Sequence, residues 1–191
     1  MSNKRIEPGL IYHIYNRGNN RCRIFIDDRN YTYFLDLYKR YLLPVTELFA
    51  YCLMPNHFHY LLRILDNKQL ELNKYTEESL SVQFATCFGT YTKAFNNKYH
   101  RTGTLFEGRF QRKVIKNHNQ LVRTLVYIHK NPQKHGYVAG FQEWKFSSYE
   151  NYRIKDPGPL LNNDLINDAD IHDSIMKLHY DRLDFDNMLD D

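Results

Sequence analysis

From Glu47 to Leu65 the chain carries two apolar runs separated only by Pro55-Asn56. Pro and Asn between runs rich in Tyr, Leu and Ile form a turn, so Glu47–Leu53 and His57–Leu65 are expected to pair as antiparallel strands. That pairing commits the chain to a sheet. It also fixes two histidines, because side chains alternate along a strand: His57 and His59 share one face while Phe58 and Tyr60 share the other. Two imidazoles side by side at the mouth of a buried strand suit a divalent metal. They are also compatible with a plain hydrogen-bonded pair on a half-exposed sheet.

The remaining elements arrange themselves around this hairpin. Leu10–Arg17 alternates and reads as a first strand, turned by Gly18-Asn19-Asn20. Asp27 or Asp28 caps a helix running to about Leu43, and Pro44 stops it. Residues 66–76 read as a polar loop. A second helix opens at Thr76-Glu77-Glu78-Ser79 and carries the stripe Leu80, Phe84, Cys87, Phe88, Tyr91 and Phe95, ending near Asn96-Asn97. Thr104–Ile115 reads as a strand or ribbon interrupted by Gly108. A third helix starts at Asn117–Gln120 and is expected to end at Asn131, before Pro132. The order β-α-β-β-α-β-α predicts an α+β, ferredoxin-like fold with an antiparallel sheet and helices on one face. Pro157-Gly158-Pro159 is the clearest linker, dividing a domain of residues 1–156 from a part-helical acidic tail of residues 157–191.

Charge separates these two parts. The chain is +4 overall, yet residues 161–191 hold nine Asp against Lys177 and Arg182. The other 160 residues therefore carry about +11, the balance of a polyanion binder. Sixteen Tyr and twelve Phe supply rings on which bases can stack, although a Tyr-rich sheet accounts for many of them. The densest basic stretch, Lys98–Lys116, sets Phe106 and Phe110 among six cations with only Glu107 opposing. Three scattered cysteines, Cys22, Cys52 and Cys87, read as reduced thiols. With no apolar signal or membrane-length run, the expectation is a soluble, cytoplasmic protein associated with nucleic acid and not with membranes.

In the third helix Leu121, Leu125 and Ile128 form the apolar stripe, which puts Tyr127 on the polar side with Arg123, Thr124 and Asn131. A phenol near pKa 10 is a weak nucleophile unless a base or a polarised electrophile stands beside it. The His57–His59 pair could hold the metal that polarises one. The amide oxygen of Asn131, one turn after Tyr127, could be its third ligand.

Five segments together resemble the single-tyrosine HUH transposases of the IS200/IS605 type, and among them the REP-associated branch. They are Tyr12-His13-Ile14-Tyr15-Asn16-Arg17-Gly18, Met54-Pro55-Asn56-His57-Phe58-His59, Gly103-Thr104-Leu105-Phe106-Glu107-Gly108-Arg109-Phe110, Tyr127-Ile128-His129-Lys130-Asn131-Pro132, and Trp144 with Ser147-Ser148-Tyr149. The match spans about residues 8–152, in order. Each motif alone is weak; five in series are specific.

The resemblance implies an endonuclease and strand transferase for single-stranded DNA carrying a hairpin. It implies Mg²⁺ or Mn²⁺ on His57 and His59, attack by Tyr127 and a 5′-phosphotyrosine intermediate. Insertion-sequence members place Gln where this chain has Asn131, so Glu107, His129 or water are the other options for the third ligand. The expected DNA contacts are Arg17, Lys93, Arg101, Arg109, Arg112, Lys113, Lys116 and Arg123, in a monomer or a homodimer. His13 and Arg17 recur in the first-strand motif. Two other functions stay open: a DNA-hairpin binder without chemistry, and a metal-dependent nuclease that uses water as nucleophile. The acidic tail is either a solubilising helix or a DNA mimic folded over the basic surface.

Overall fold

The computed structural model describes residues 5–181. Strands β1 (Ile11–Arg17), β2 (Thr46–Met54), β3 (His57–Ile64) and β4 (Gln111–Val114) form one antiparallel sheet in the order β2-β3-β1-β4. Helix α1 (Asp28–Leu37) links β1 to β2; α2 (Asn67–Leu72) and α3 (Glu77–Lys98) link β3 to β4; α4 (His118–Lys134) follows β4. The expected α+β, ferredoxin-like β-α-β-β-α-β-α order is borne out.

The strand period decides what lies on each side of the sheet. Phe58 and Tyr60 of β3 turn toward α1 and α3. There Phe34 packs against Phe58 (ring centroids 5.1 Å), Tyr91 (4.7 Å) and Phe88 (6.0 Å). Phe34 and Phe58 are fully buried, each contributing roughly 2–3 kcal/mol by apolar burial. His13 and His59, at the alternate positions, turn to the opposite face and meet Tyr127 of α4. The expectation of helices on one face therefore holds for α1 and α3, while α4 crosses the other side.

Local chemistry accounts for several departures from the sequence reading. The polar stretch after β3 contains α2, because Asp66 accepts from Gln69 N (2.8 Å) in a capping box and Leu70 is buried beneath it. Helix α1 ends at Leu37 and continues as a π turn (Tyr38–Leu42) and a 3₁₀ turn (Leu43–Val45). Thr46 Oγ1 donates to the Leu42 carbonyl (2.8 Å) at this junction. Only Gln111–Val114 of the expected Thr104–Ile115 ribbon is a strand, with Phe106 making a separate bridge to Gly18. Helix α4 runs past Pro132 to Lys134, its last turn held by His135 N donating to the Asn131 carbonyl (3.0 Å).

Beyond Pro157 the chain stays on the body. Asn162 N donates to the Leu48 carbonyl (2.7 Å), and Leu161 makes a bridge to Leu48. After α5 (Tyr149–Arg153) and α6 (Asp164–Asn167), α7 (Ala169–Tyr180) packs on the outer side of α4 with Ile175, His172 and His179 buried. Asp168 caps α7 by accepting from Ile171 N (3.0 Å). The part of the acidic tail after Asp181 lies outside the described residues.

Candidate active site

The turn that presents His57 is clamped from outside the hairpin. The Pro55 carbonyl accepts from Ile24 N (2.7 Å) and Phe25 N (3.0 Å), and the Asn56 carbonyl accepts from Gly18 N (2.7 Å). Gly18 permits this return of the chain, because a Cβ there would land on the Cys22 carbonyl oxygen. Register does the rest. His57 lies opposite Arg17 and His59 opposite Tyr15, on the strand face that α4 covers.

Four buried polar atoms on this face have no hydrogen-bond partner: His57 Nε2, His59 Nε2, Asn131 Oδ1 and His13 Nδ1. An orphaned buried polar atom costs about 1–3 kcal/mol, so such a cluster is unstable as a purely structural feature. The first three belong to the residues that the sequence singled out as ligands, and they come from two elements, β3 and α4. Two imidazole nitrogens and an amide oxygen form a donor set that accepts a small divalent cation. Among the described residues no group of three or more His, Cys, Asp and Glu gathers at ligating distance, so an amide is the third donor at hand. Glu107, one of the alternatives, is tied to Arg17. His129, another, turns away to Ser148 Oγ (2.8 Å) and His179 Nε2 (2.9 Å).

The surroundings favour neutral imidazoles, the form that binds metals. Burial, reinforced by Lys113, pushes His13 down to about 3. His57 is held down to about 4 by burial and by His135, with the Asn131 side chain acting the other way. His59 lies well below its ordinary value, first through burial and then through His13 and His57.

Tyr127 is buried, with its ring edge-on to His59 (5.9 Å) and His13 (6.1 Å) and Lys134 Nζ 5.6 Å from its centre. The sequence placed it on a polar helix face. The Arg123, Lys130 and Lys134 stripe of α4 is part-exposed, but Tyr127 within it is covered by His13 and His59 of the sheet. Asn131 stays in helical register despite Pro132, its Nδ2 donating to the Tyr127 carbonyl (3.4 Å).

The expected DNA contacts divide. Lys113 lies 5.7 Å over the Tyr15 ring, Arg17 sits opposite His57, and Arg123 stands one turn before Tyr127, its Nε bonded to Asn119 (3.1 Å). Arg112 projects the other way, over Phe110 (6.0 Å). Lys93 is exposed on α3, and Arg101 rests against Asn96 and Phe95 at the end of that helix. Arg109 and Lys116 are exposed on either side of β4. Sequence reasoning missed Lys134 and His135. Both follow Pro132, where the helix was expected to have ended.

Comparisons with known proteins agree with the motifs. A Haemophilus influenzae protein whose name places it among REP-associated tyrosine transposases is 31% identical over 106 residues, 54% of this chain. The chain spans 58% of that relative's length. A solved structure of a REP-associated tyrosine transposase bound to a REP hairpin superposes with a TM-score of 0.58 at 18% identity, covering 86% of this chain and 88% of that one. This second likeness shows the fold. No family model matches the chain. The resemblance read from five motifs is thus borne out. No helix among the described residues is long and apolar enough to cross a membrane.

Proposed function

We propose that this chain is a REP-associated tyrosine transposase, a metal-dependent enzyme that cuts and rejoins single-stranded DNA beside a hairpin. The observation that carries the reading is the coincidence of His57 Nε2, His59 Nε2 and Asn131 Oδ1, all buried and unpartnered, with Tyr127 one helical turn from Asn131 and edge-on to His59. His57, His59 and Asn131 would hold a Mg²⁺ or Mn²⁺ ion. Such an ion, when bound, supplies Lewis-acid polarisation of a phosphodiester oxygen.

Within that frame Tyr127 supplies the nucleophile. Its phenolic oxygen gives up a proton and bonds to phosphorus as the P–O3′ bond breaks, leaving a 5′-phosphotyrosine and a 3′-hydroxyl that takes up a proton. Attack by a 3′-hydroxyl on the phosphotyrosine reverses the step. The phosphodiester energy stays in the covalent link, so no nucleotide cofactor is required. Helix α4 fixes the distance between nucleophile and third ligand, since residues four apart lie one above the other. Lys134 over the Tyr127 ring, with Lys113, Arg17 and Arg123 around the mouth, favours the approach of a phosphate.

The test is a covalent-adduct assay. Labelled single-stranded hairpins from the flanks of the gene are incubated with Mn²⁺ or Mg²⁺ and run on denaturing gels. A labelled protein band, lost in Tyr127→Phe and in His57→Ala, is the expected result. Cleavage without a band, surviving in Tyr127→Phe, would give the reaction to a water nucleophile. Binding with neither would leave a hairpin-binding protein.

A further inference from the structure

Both histidines of the candidate metal site are held from behind. His57 Nδ1 lies 2.7 Å from Asn56 Oδ1, and the Tyr137 hydroxyl donates to the same oxygen (3.0 Å). An amide oxygen only accepts, so His57 carries a proton on Nδ1, and the neutral ring that burial favours then has a bare lone pair on Nε2. His59 Nδ1 lies 2.9 Å from His13 Nε2, and neither ring nitrogen of that pair has another partner. Two proton arrangements satisfy this bond. In one, His59 Nδ1–H donates to His13, which bares His59 Nε2. In the other, His13 Nε2–H donates to His59, and His59 then carries its proton on the atom that faces the site.

We propose that His13 and the Asn56–Tyr137 pair are positioning residues, fixing His59 and His57 as Nδ1–H tautomers so that both Nε2 lone pairs point at one divalent cation. This rests on the metal reading above. The geometry favours the first arrangement for His59. Its Nε2 shares a buried face with His57 Nε2 and Asn131 Oδ1, and only a bare Nε2 adds a third lone pair for a cation there, whereas an N–H would close the site; the cation offsets the cost of His13 Nδ1–H, which this arrangement leaves buried without a partner. His13 is suited to the task because it is completely buried on β1 and packed between Tyr15 (4.9 Å) and His59 (5.1 Å). Its ring cannot turn without moving the sheet face. The outer shell thus comes from three places, the β1 strand, the β2–β3 turn and the loop after α4.

The experiment reads tautomers and metal uptake, not activity. Long-range ¹H–¹⁵N spectra of histidine-labelled, metal-free protein should show His57 and His59 protonated on Nδ1 alone. Mn²⁺ alone, titrated by electron paramagnetic resonance, should bind His13→Leu about tenfold to hundredfold more weakly than the parent. His13→Gln, whose amide oxygen can accept the same bond, should recover part of that loss. Urea unfolding of each metal-free variant separates a lost fold from a lost ligand orientation. A His59 protonated on Nε2, or unchanged Mn²⁺ affinity in a folded His13→Leu protein, overturns the inference and leaves the metal site standing. Parent protein that binds Mn²⁺ no better than His57→Ala overturns the metal reading, and this inference with it.

Discussion

The packing of α7 onto α4 should weaken in mild acid, and one histidine allows the size of the effect to be worked out. His179 Nδ1–H donates to the Ile175 carbonyl (2.8 Å), so its Nε2 accepts from His129 Nδ1–H (2.9 Å), and His129 Nε2 accepts from Ser148 Oγ–H (2.8 Å). Every ring nitrogen in this chain of bonds is used with both rings neutral. An added proton would put a charge on a ring that is buried between α4 and α7. Burial, with Lys130 and His172 adding to it and the Ile175 carbonyl opposing, holds His179 down to about 4 from an ordinary 6.5. The stability this ring contributes is complete above 6.5. Below that, the unfolded chain takes up a proton that the folded one refuses, at about 1.4 kcal/mol per pH unit until the folded value is reached. Lowering the pH from about 7.5 to about 5 should therefore cost about 2 kcal/mol from His179 alone. His129, lowered by burial and by His179, shifts in the same direction. Urea unfolding of the parent and of His179→Gln at both pH values reads this share together with the part of the His129 shift that His179 causes, because the other buried histidines remain in both proteins. The variant should lose about 2 kcal/mol less than the parent over that interval. An equal loss would refute the reasoning, as would an NMR titration of the parent that finds His179 near its ordinary pKa.

Three other outcomes follow from the same geometry. Gly18→Ala drives a methyl group into the Cys22 carbonyl and should destabilise the protein by about 1–3 kcal/mol in urea unfolding. Because Gly18 also clamps Asn56, its Mn²⁺ affinity should fall as well, as titration of the folded variant would show. Asn131→Ala removes the third donor from the proposed site and should weaken Mn²⁺ binding at least about tenfold by calorimetry, with Tyr127 still present. Lys113→Ala and Arg123→Ala should each reduce the salt slope of hairpin binding by roughly 0.7 to 0.9, read from filter binding across a salt series. Lys93→Ala, on the far face of the sheet, should leave that slope unchanged.

What the sequence made legible is what depends on local periods. A period of two places His57 beside His59, and a period near 3.6 places Asn131 over Tyr127; neither needs knowledge of the rest of the chain. The hidden part depends on what lies across each element. Lys113 and Arg112 are neighbours in one basic run, and only the register of β4 on β1 assigns Lys113 to the histidine face and Arg112 to the other. Pro132 reads as a helix end, since proline lacks the N–H that the ladder uses. Yet α4 continues, because packing on both sides outweighs one missing bond.

The same two-sided packing explains why the tyrosine could not be placed correctly from its own helix. A wheel with Leu121, Leu125 and Ile128 as the buried stripe leaves Tyr127 toward solvent. Buried Tyr127 and buried His129 mean that α4 has two covered faces, one on the sheet and one on α7. The second cover comes from the acidic segment after Pro157, whose Ile171, Ile175 and Leu178 announce a helix without announcing what it packs against. Its consequence reaches the site. Tyr127 and Asn131 stand on a helix that α7 covers from the other side through the His129–His179 bond, so the geometry of the proposed nucleophile and ligands is set partly from outside the ferredoxin-like core.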